Sequence, residues 1–456
     1  MPGPSTAVIG SGWAGCAAAV ELARAGHQVT LLEAARTLGG RARRVDIDGR
    51  RLDNGQHILL GAYTATLRLM RQVGVKRDQA LLTLPLQMRY PPASGGMDFM
   101  APRLPAPLHL LGALLRSTGL AREDKMSLAR FSTTACWMGW RLHTDCSVSE
   151  LLLRFDQTPR LIELMWRPLC LAALNTPPER ASAQVFLNVL RDSLGASRRA
   201  SDMLLPRADL SALLPEAAAA YIGQRGGGVH AGAKVCTLEQ LPSGRWQVGA
   251  SGAAVGGDWY AQFDGVVLAT GAGAASALLR ELAPSPAAAS LSPLADQLAN
   301  FEAEAITTCY LQYAPDVALD LPFYALRDNP AAAQWGQFVF DRGQLDSTQA
   351  GLLAVVVSAS GAAAEQGQAA LATAIAAQLA AVFRRPELER PSWLKVITEK
   401  RATYACAPGL ARPDCATGLA GLVLAGDYTA GDYPATLEAA VRSGVAAAAL
   451  LRAGRH

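Results

Sequence analysis

Charge is scarce in this chain of 456 residues: Asp, Glu, Lys and Arg make up 18% of it, against 50% hydrophobic residues. That balance suits a large buried volume, and the length exceeds what one ordinary core supports, so two interleaved domains are expected. A net charge of +4 is small for the length and does not point to nucleic acid. The 42 basic residues still leave room for a local patch facing anionic lipid. The eight cysteines (Cys16, Cys136, Cys146, Cys170, Cys236, Cys309, Cys406 and Cys415) are scattered, without a CxxC pair or a His-rich partner segment. Reduced thiols are expected, with neither a metal site nor a disulfide framework. No run of about 18 uninterrupted apolar residues occurs, so no spanning helix is expected. No basic, apolar, cleavage-site segment precedes the first strand signal, which reads as a cytoplasmic protein with peripheral membrane contact left open.

What is present is concentrated near the start. Thr6-Ala7-Val8-Ile9 reads as a strand and Gly10-Ser11-Gly12-Trp13-Ala14-Gly15 as a glycine turn opening a helix. His27 to Leu32 reads as a second strand, ending in Glu33. This is the dinucleotide-binding fingerprint in its required setting. Gly10 permits the tight turn, Gly12 lets backbone N–H groups approach a pyrophosphate, and Gly15 lets the helix lie close on the sheet. The helix N-terminus then faces the phosphates. Ala14, Ala17, Ala18, Leu22 and Ala25 fall on one helix face. Glu33 stands where a carboxylate can accept from ribose hydroxyls and would repel a 2′-phosphate, which favours FAD or NAD over NADP.

Further along, Leu38-Gly39-Gly40-Arg41 offers a second turn, whose arginine reaches toward a pyrophosphate as a charge-assisted donor. Arg44 to Asp53 reads as a hairpin turning at Asp48-Gly49, followed by Asn54-Gly55-Gln56-His57. From about 79 to 224 the pattern is mostly helical, as in Arg160 to Leu174 and Ala183 to Leu194. Strand signals return at Gly228 to Val235, Arg245 to Val248 and Gly265 to Gly271, the last a buried parallel strand entering a closing turn at Gly271 to Ala275. Ile306 to Tyr313, Gln337 to Arg342 and Leu352 to Ser358 read as strands of a second sheet, followed by a helix over roughly 366 to 383. Leu422 to Gly426 precedes Asp427, and a final helix is expected from about Pro434. An aspartate there can accept from a ribitol hydroxyl, and the following helix N-terminus can stabilise negative charge on a reduced flavin ring. Together these places bracket a whole FAD.

With all these pieces in order, the chain resembles the flavin amine oxidase and phytoene desaturase superfamily. Asp53 to Tyr63, Pro168 to Pro177 and Ala183 to Leu190 resemble its squalene-associated branch, the hydroxysqualene dehydroxylases. The resemblance implies an α/β fold: a Rossmann-like FAD-binding domain in three pieces (1–78, 225–284 and 400–456), with a helical insertion at 79–224 and an α+β substrate domain at 285–399. It implies FAD contacts from Gly10, Gly12, Trp13, Ala14, Gly15, Glu33, Gly40, Arg41, Val235, Gly426, Asp427, Thr436 and Leu437. The implied reaction removes an allylic hydroxyl from a long isoprenoid, hydroxysqualene giving squalene, with hydride from reduced flavin. Hydroxide leaves poorly, so an acid or a preorganised donor is needed opposite the flavin. His57 is the first candidate and Tyr63 the second, against a reading in which Asn54, Gln56 and His57 only hold backbone.

An external electron donor is expected, because no second complete nucleotide-binding unit follows Gly271. The oily substrate starts in lipid, so the protein is expected to meet it at the inner membrane surface. Leu104 to Leu115, flanked by Arg103 and Arg116, reads either as an interfacial segment or as a buried cap over a substrate tunnel. The alternatives kept open are a phytoene or carotenoid desaturase, a flavin amine oxidase, and a non-redox escort protein that holds prenyl groups.

Overall fold

The computed structural model describes residues 3–282 and 290–454; the expected boundary between 284 and 285 lies outside them. A parallel sheet of five strands forms the base, ordered Gly228–Ala231, Gln28–Glu33, Ser5–Ile9, Gly265–Leu268 and Leu422–Leu424. Its centre is dry: Ala7, Val8, Val266, Val267 and Leu424 are fully buried. Strands covered on both faces read as continuous apolar runs, which is how Gly265–Leu268 and Leu422–Leu424 show in the sequence.

The first helix (Trp13–Arg24) and the last (Leu437–Ala453) lie side by side over this sheet. Small residues allow the approach. A Cβ on Gly444 would stand 2.9 Å from the Ala17 Cβ and collide with the Ala14 carbonyl oxygen. The last helix begins at Leu437 rather than near Pro434, because Thr436 caps it, accepting from the Ala439 amide at 3.2 Å.

The stretch from Gly228 to Val235 is two strands, not one. Gly232, at φ +84°, breaks it. Gly228–Ala231 stays in the parallel sheet, and Lys234–Gln240 begins an antiparallel sheet with Trp246–Gly252 and Trp259-containing Gly257–Phe263. Gly271 likewise opens a helix, Ala272–Glu281, where a closing turn was expected.

A second five-stranded sheet is antiparallel, ordered Phe323–Ala325, Phe338–Asp341, Leu352–Ser358, Ala303–Gln312 and Trp393–Tyr404. The helical part is built around Trp166, whose ring meets Phe131 at 4.6 Å and Phe186 at 6.2 Å. Its indole N–H is satisfied by Gln157 Oε1 at 2.9 Å. The region 79–224 also carries four short strands, Leu81–Leu84, Gln87–Arg89, Asp98–Met100 and Met203–Pro206. Leu81–Leu84 and Met203–Pro206 pair with each other far apart in sequence, which local periodicity cannot report, while Gln87–Arg89 and Asp98–Met100 form a local hairpin. No helix among the described residues is long and apolar enough to cross a membrane.

Candidate active site

The glycine turn between the first strand and the first helix has the geometry its residues require. Gly10 sits at φ +104°, and a Cβ there would meet the Ala269 carbonyl oxygen at 2.6 Å. A Cβ on Gly15 would collide with the Gly10 carbonyl oxygen, so the helix can lie this close only without a side chain there. Gly12 is different: a Cβ on it would touch nothing within 4 Å. That open space lies in front of a helix N-terminus with no side-chain cap, where first-turn amides point outward and the dipole favours an anion. Trp13 and Ala14 offer such amides. The Trp13 ring is buried and donates to the Ala42 carbonyl oxygen at 3.2 Å, fastening the helix start to the second turn.

Glu33 ends the second strand beside this turn. Its Oε2 accepts from the Ser11 amide at 2.8 Å and hydroxyl at 2.7 Å, and its Oε1 from the Ala35 amide at 2.8 Å. A carboxylate has about four acceptor sites, so one on Oε1 stays open for a ribose hydroxyl. Val235 lies two residues past Ala233, whose amide donates to the Glu33 carbonyl oxygen at 2.8 Å, so it belongs to this end of the site.

At the other end Gly40, at φ +63°, packs against Gly12 and delivers Arg41. Arg41 Nη2 lies 2.6 Å from Asp427 Oδ1, and Nη1 donates to the Ala402 carbonyl oxygen at 2.6 Å. The Asp427 carboxylate holds the guanidinium above its ordinary pKa against desolvation. Arg41 keeps 40% of its side chain accessible, which leaves a cation open in the crevice beside Gly12. Gly426 is fixed by its amide to Ser443 Oγ at 2.9 Å, which places Asp427 beside the last helix. Thr436 and Leu437 form the start of that helix, a second N-terminus opening on the same crevice.

Glu438, the next residue, carried no signal in the sequence beyond its motif. It is fully buried, its two oxygens accept from the Ala65 and Thr66 amides at 3.0 and 2.9 Å, and it pairs with Arg442 at 2.8 Å. It therefore ties the last helix to the N-terminus of the helix Thr64–Gln72.

The segment after the hairpin lies against the second sheet. Tyr310 donates to the Asp53 carbonyl oxygen at 2.7 Å and accepts from Gln56 Nε2 at 2.8 Å; Gln56 Oε1 accepts from buried Arg342 at 3.1 Å. Burial pushes the Asp53 carboxyl up to about 6, against the pull of Arg342 and of the Leu210 amide that donates to it. Tyr310 and Arg342 are more than 250 residues from this segment, and no sequence spacing announces them.

His57 Nδ1 lies 3.0 Å from the Gly55 carbonyl oxygen. A carbonyl only accepts, so Nδ1 carries the proton and Nε2 presents a lone pair. Burial pushes the imidazole below its usual pKa, outweighing the Gly55 bond, and the Arg41 charge adds to that. The ring is neutral at neutral pH and offers an acceptor at Nε2, where the sequence suggested an acid. Tyr63 lies at the start of the last helix, edge-on to Tyr433 at 6.3 Å, and burial raises its hydroxyl pKa, with Glu438 adding to the rise and a hydrogen bond with Thr436 opposing it. The structure thus groups the glycine turn, Glu33, Arg41, Asp427 and the last helix along one crevice, places His57 against the second sheet, and sets Tyr63 at the start of the last helix, hydrogen-bonded to Thr436.

An elongated anionic dinucleotide fits this arrangement: open space at Gly12, an uncapped helix N-terminus, a free acceptor at Glu33 and a cation in the crevice. Residues 13–452 match the family described as flavin containing amine oxidoreductase. Hydroxysqualene dehydroxylase of Rhodopseudomonas palustris is 31% identical, over 98% of this chain and 98% of that one. Zeta-carotene desaturase of Synechocystis is 25% identical over 98% of this chain and 97% of that one. An oxidoreductase from Methanosarcina mazei superposes with a TM-score of 0.72 at 16% identity, covering 97% of this chain and 99% of that one. The dinucleotide crevice and the family together make the cofactor FAD. The chain belongs to the flavin containing amine oxidoreductases, within them to the hydroxysqualene dehydroxylases, and is an FAD-dependent oxidoreductase.

Proposed function

We propose that this protein acts on a long isoprenoid alcohol and replaces its allylic hydroxyl by hydrogen, hydroxysqualene giving squalene and water at the expense of a two-electron donor. The observation that carries this reading is the end-to-end similarity to the R. palustris hydroxysqualene dehydroxylase. Bound FAD, once reduced, supplies the hydride. The chain's own residues bind and orient: the Gly12 helix N-terminus and Arg41 hold the pyrophosphate, Glu33 the ribose and Asp427 the ribitol. The N-terminus at Thr436–Leu437 favours negative charge on the reduced ring. With His57 neutral, the proton for the departing hydroxide comes from water or from another donor in the crevice.

We further propose that the protein collects its substrate from a membrane surface. The helix Leu108–Arg116 buries His109 and Ala113 but turns Leu108, Leu111 and Leu115 outward at 49, 50 and 68% exposure, continuing from Leu104 at 41%. Between residues 100 and 141 the basic residues are Arg103, Arg116, Arg122, Lys125, Arg130 and Arg141, against Glu123 and a buried Asp124. An apolar face rimmed by cations complements anionic lipid.

An anaerobic assay tests the reaction. Photoreduced holoenzyme should convert hydroxysqualene to squalene with stoichiometric flavin oxidation. Absence of squalene, together with flavin reduction by zeta-carotene, would replace this reading with the desaturase that the Synechocystis similarity favours.

A further inference from the structure

The strand Ala303–Gln312 carries two adjacent threonines that point to opposite faces. Thr307 Oγ1 is satisfied by Ser360 Oγ and Thr398 Oγ1, both at 2.9 Å. Thr308 is fully buried and its Oγ1 has no partner. Buried hydroxyls nearly always find one, so an orphan of this kind points to a ligand.

Thr308 lies on the face that also carries Tyr310, and that face meets the Asp53–His57 segment. A Cβ added to Gly55 would find only two heavy atoms within 4 Å, Thr308 Oγ1 at 3.9 Å and His57 Cε1 at 4.0 Å. Gly55 therefore leaves a recess about one small group wide, flanked by a hydroxyl and an imidazole edge. The two flanks are complementary. Thr308 Oγ–H is a free donor, and His57 Nε2, bonded to Cε1, is a free acceptor because Nδ1 spends its proton on the Gly55 carbonyl. One alcohol group, which both donates and accepts, satisfies both.

We propose that Gly55, His57 and Thr308 form a subsite for the single hydroxyl of an otherwise hydrocarbon ligand, Thr308 donating to the ligand oxygen and the ligand hydroxyl donating to His57 Nε2. The subsite rests on the reading that the ligand is a long isoprenoid alcohol, and it assigns to Thr308 the discrimination of alcohol from hydrocarbon. A buried polar pair of this kind rejects a ligand lacking the hydroxyl because its own groups are then left unpaired.

The test is ligand binding to oxidised holoenzyme in detergent micelles, followed by perturbation of flavin absorbance, with hydroxysqualene and squalene as the two probes. Wild-type enzyme should prefer the alcohol. Thr308→Val, which keeps shape but removes the hydroxyl, should lower alcohol affinity roughly three- to tenfold without lowering squalene affinity. Thr308→Ser should retain the preference, and Gly55→Ala, which fills the recess, should weaken the alcohol alone. If Thr308→Val loses flavin, the serine and Gly55 variants decide. An unchanged preference in Thr308→Val and in Gly55→Ala, or no preference in wild type, overturns the subsite. Failure of wild type to bind either probe overturns the functional reading instead.

Discussion

The two five-stranded sheets hold chemistry in different ways. Around the parallel sheet most of the working groups are backbone, with the side chains of Glu33, Arg41 and Asp427 set among them: turn amides at Gly10–Gly15, two helix N-termini, and glycines whose missing side chains define the space. Where the antiparallel sheet meets the Asp53–His57 segment, the working groups are side chains in a chain of hydrogen bonds, Arg342 to Gln56 to Tyr310 to the Asp53 carbonyl. A backbone site tolerates almost any outward side chain but no change of shape. A side-chain site keeps its shape and changes its selectivity.

Substitutions can break that contrast. The largest effect is expected from Gly15→Ala, whose methyl collides with the Gly10 carbonyl; overpacking of about 3 kcal/mol should accompany loss of bound FAD, read from the ratio of flavin to protein absorbance. Retention of full flavin content would show that the glycine turn is less rigid than its contacts imply. Next, Glu438→Ala leaves two buried amides and Arg442 without their acceptor. A loss of about 3 kcal/mol is expected in denaturant unfolding, with Glu438→Gln recovering part of it.

Asp53 sharpens the comparison through pH. Its carboxyl is raised from 3.8 to about 6, so the native state binds an extra proton across that window. Stability contributed by this group is therefore present at the acid end, falls as pH rises toward 6, and is level above it. Relative to Asp53→Asn, which keeps an acceptor for the Leu210 amide, wild type should lose about 3 kcal/mol between pH 4 and pH 7. Parallel pH curves for the two proteins would remove Asp53 as the titrating group. The smallest effect on stability, within about 0.5 kcal/mol, is expected for exposed Leu115→Glu. The same change should lower sedimentation with anionic liposomes, and an unaltered bound fraction would count against the proposed docking face.

The contrast also explains what the sequence discloses. The strand, turn, helix, strand and acid around Gly10 is one local unit of about thirty residues, and its glycines sit where positive φ and close approach demand them. Leu352–Ser358 is buried along its whole length and reads as a strand with its true ends. Trp393–Tyr404 escapes notice because it is an edge strand, half-exposed and interrupted by Lys395, Glu399, Lys400 and Arg401, so neither a continuous apolar run nor clean alternation marks it. Thr308, Tyr310 and Arg342 are invisible for another reason. Each is an ordinary strand or turn residue until folding sets it against a segment more than 250 positions away. Glu33 and Asp427 stand out in the sequence at strand ends, but the pairing of Arg41 with Asp427 across 386 positions does not.

The contact of Gly444 with Ala14 and Ala17 has a consequence for biogenesis. One wall of the crevice comes from Trp13–Arg24 and the facing helix from Leu437–Ala453, more than 400 positions apart. During translation the nascent polypeptide cannot close around flavin until the segment carrying Leu437–Ala453 has cleared the ribosome. A polypeptide that stops short of Leu437 lacks the helix that packs on Ala14 and Ala17, and with it one side of the flavin site.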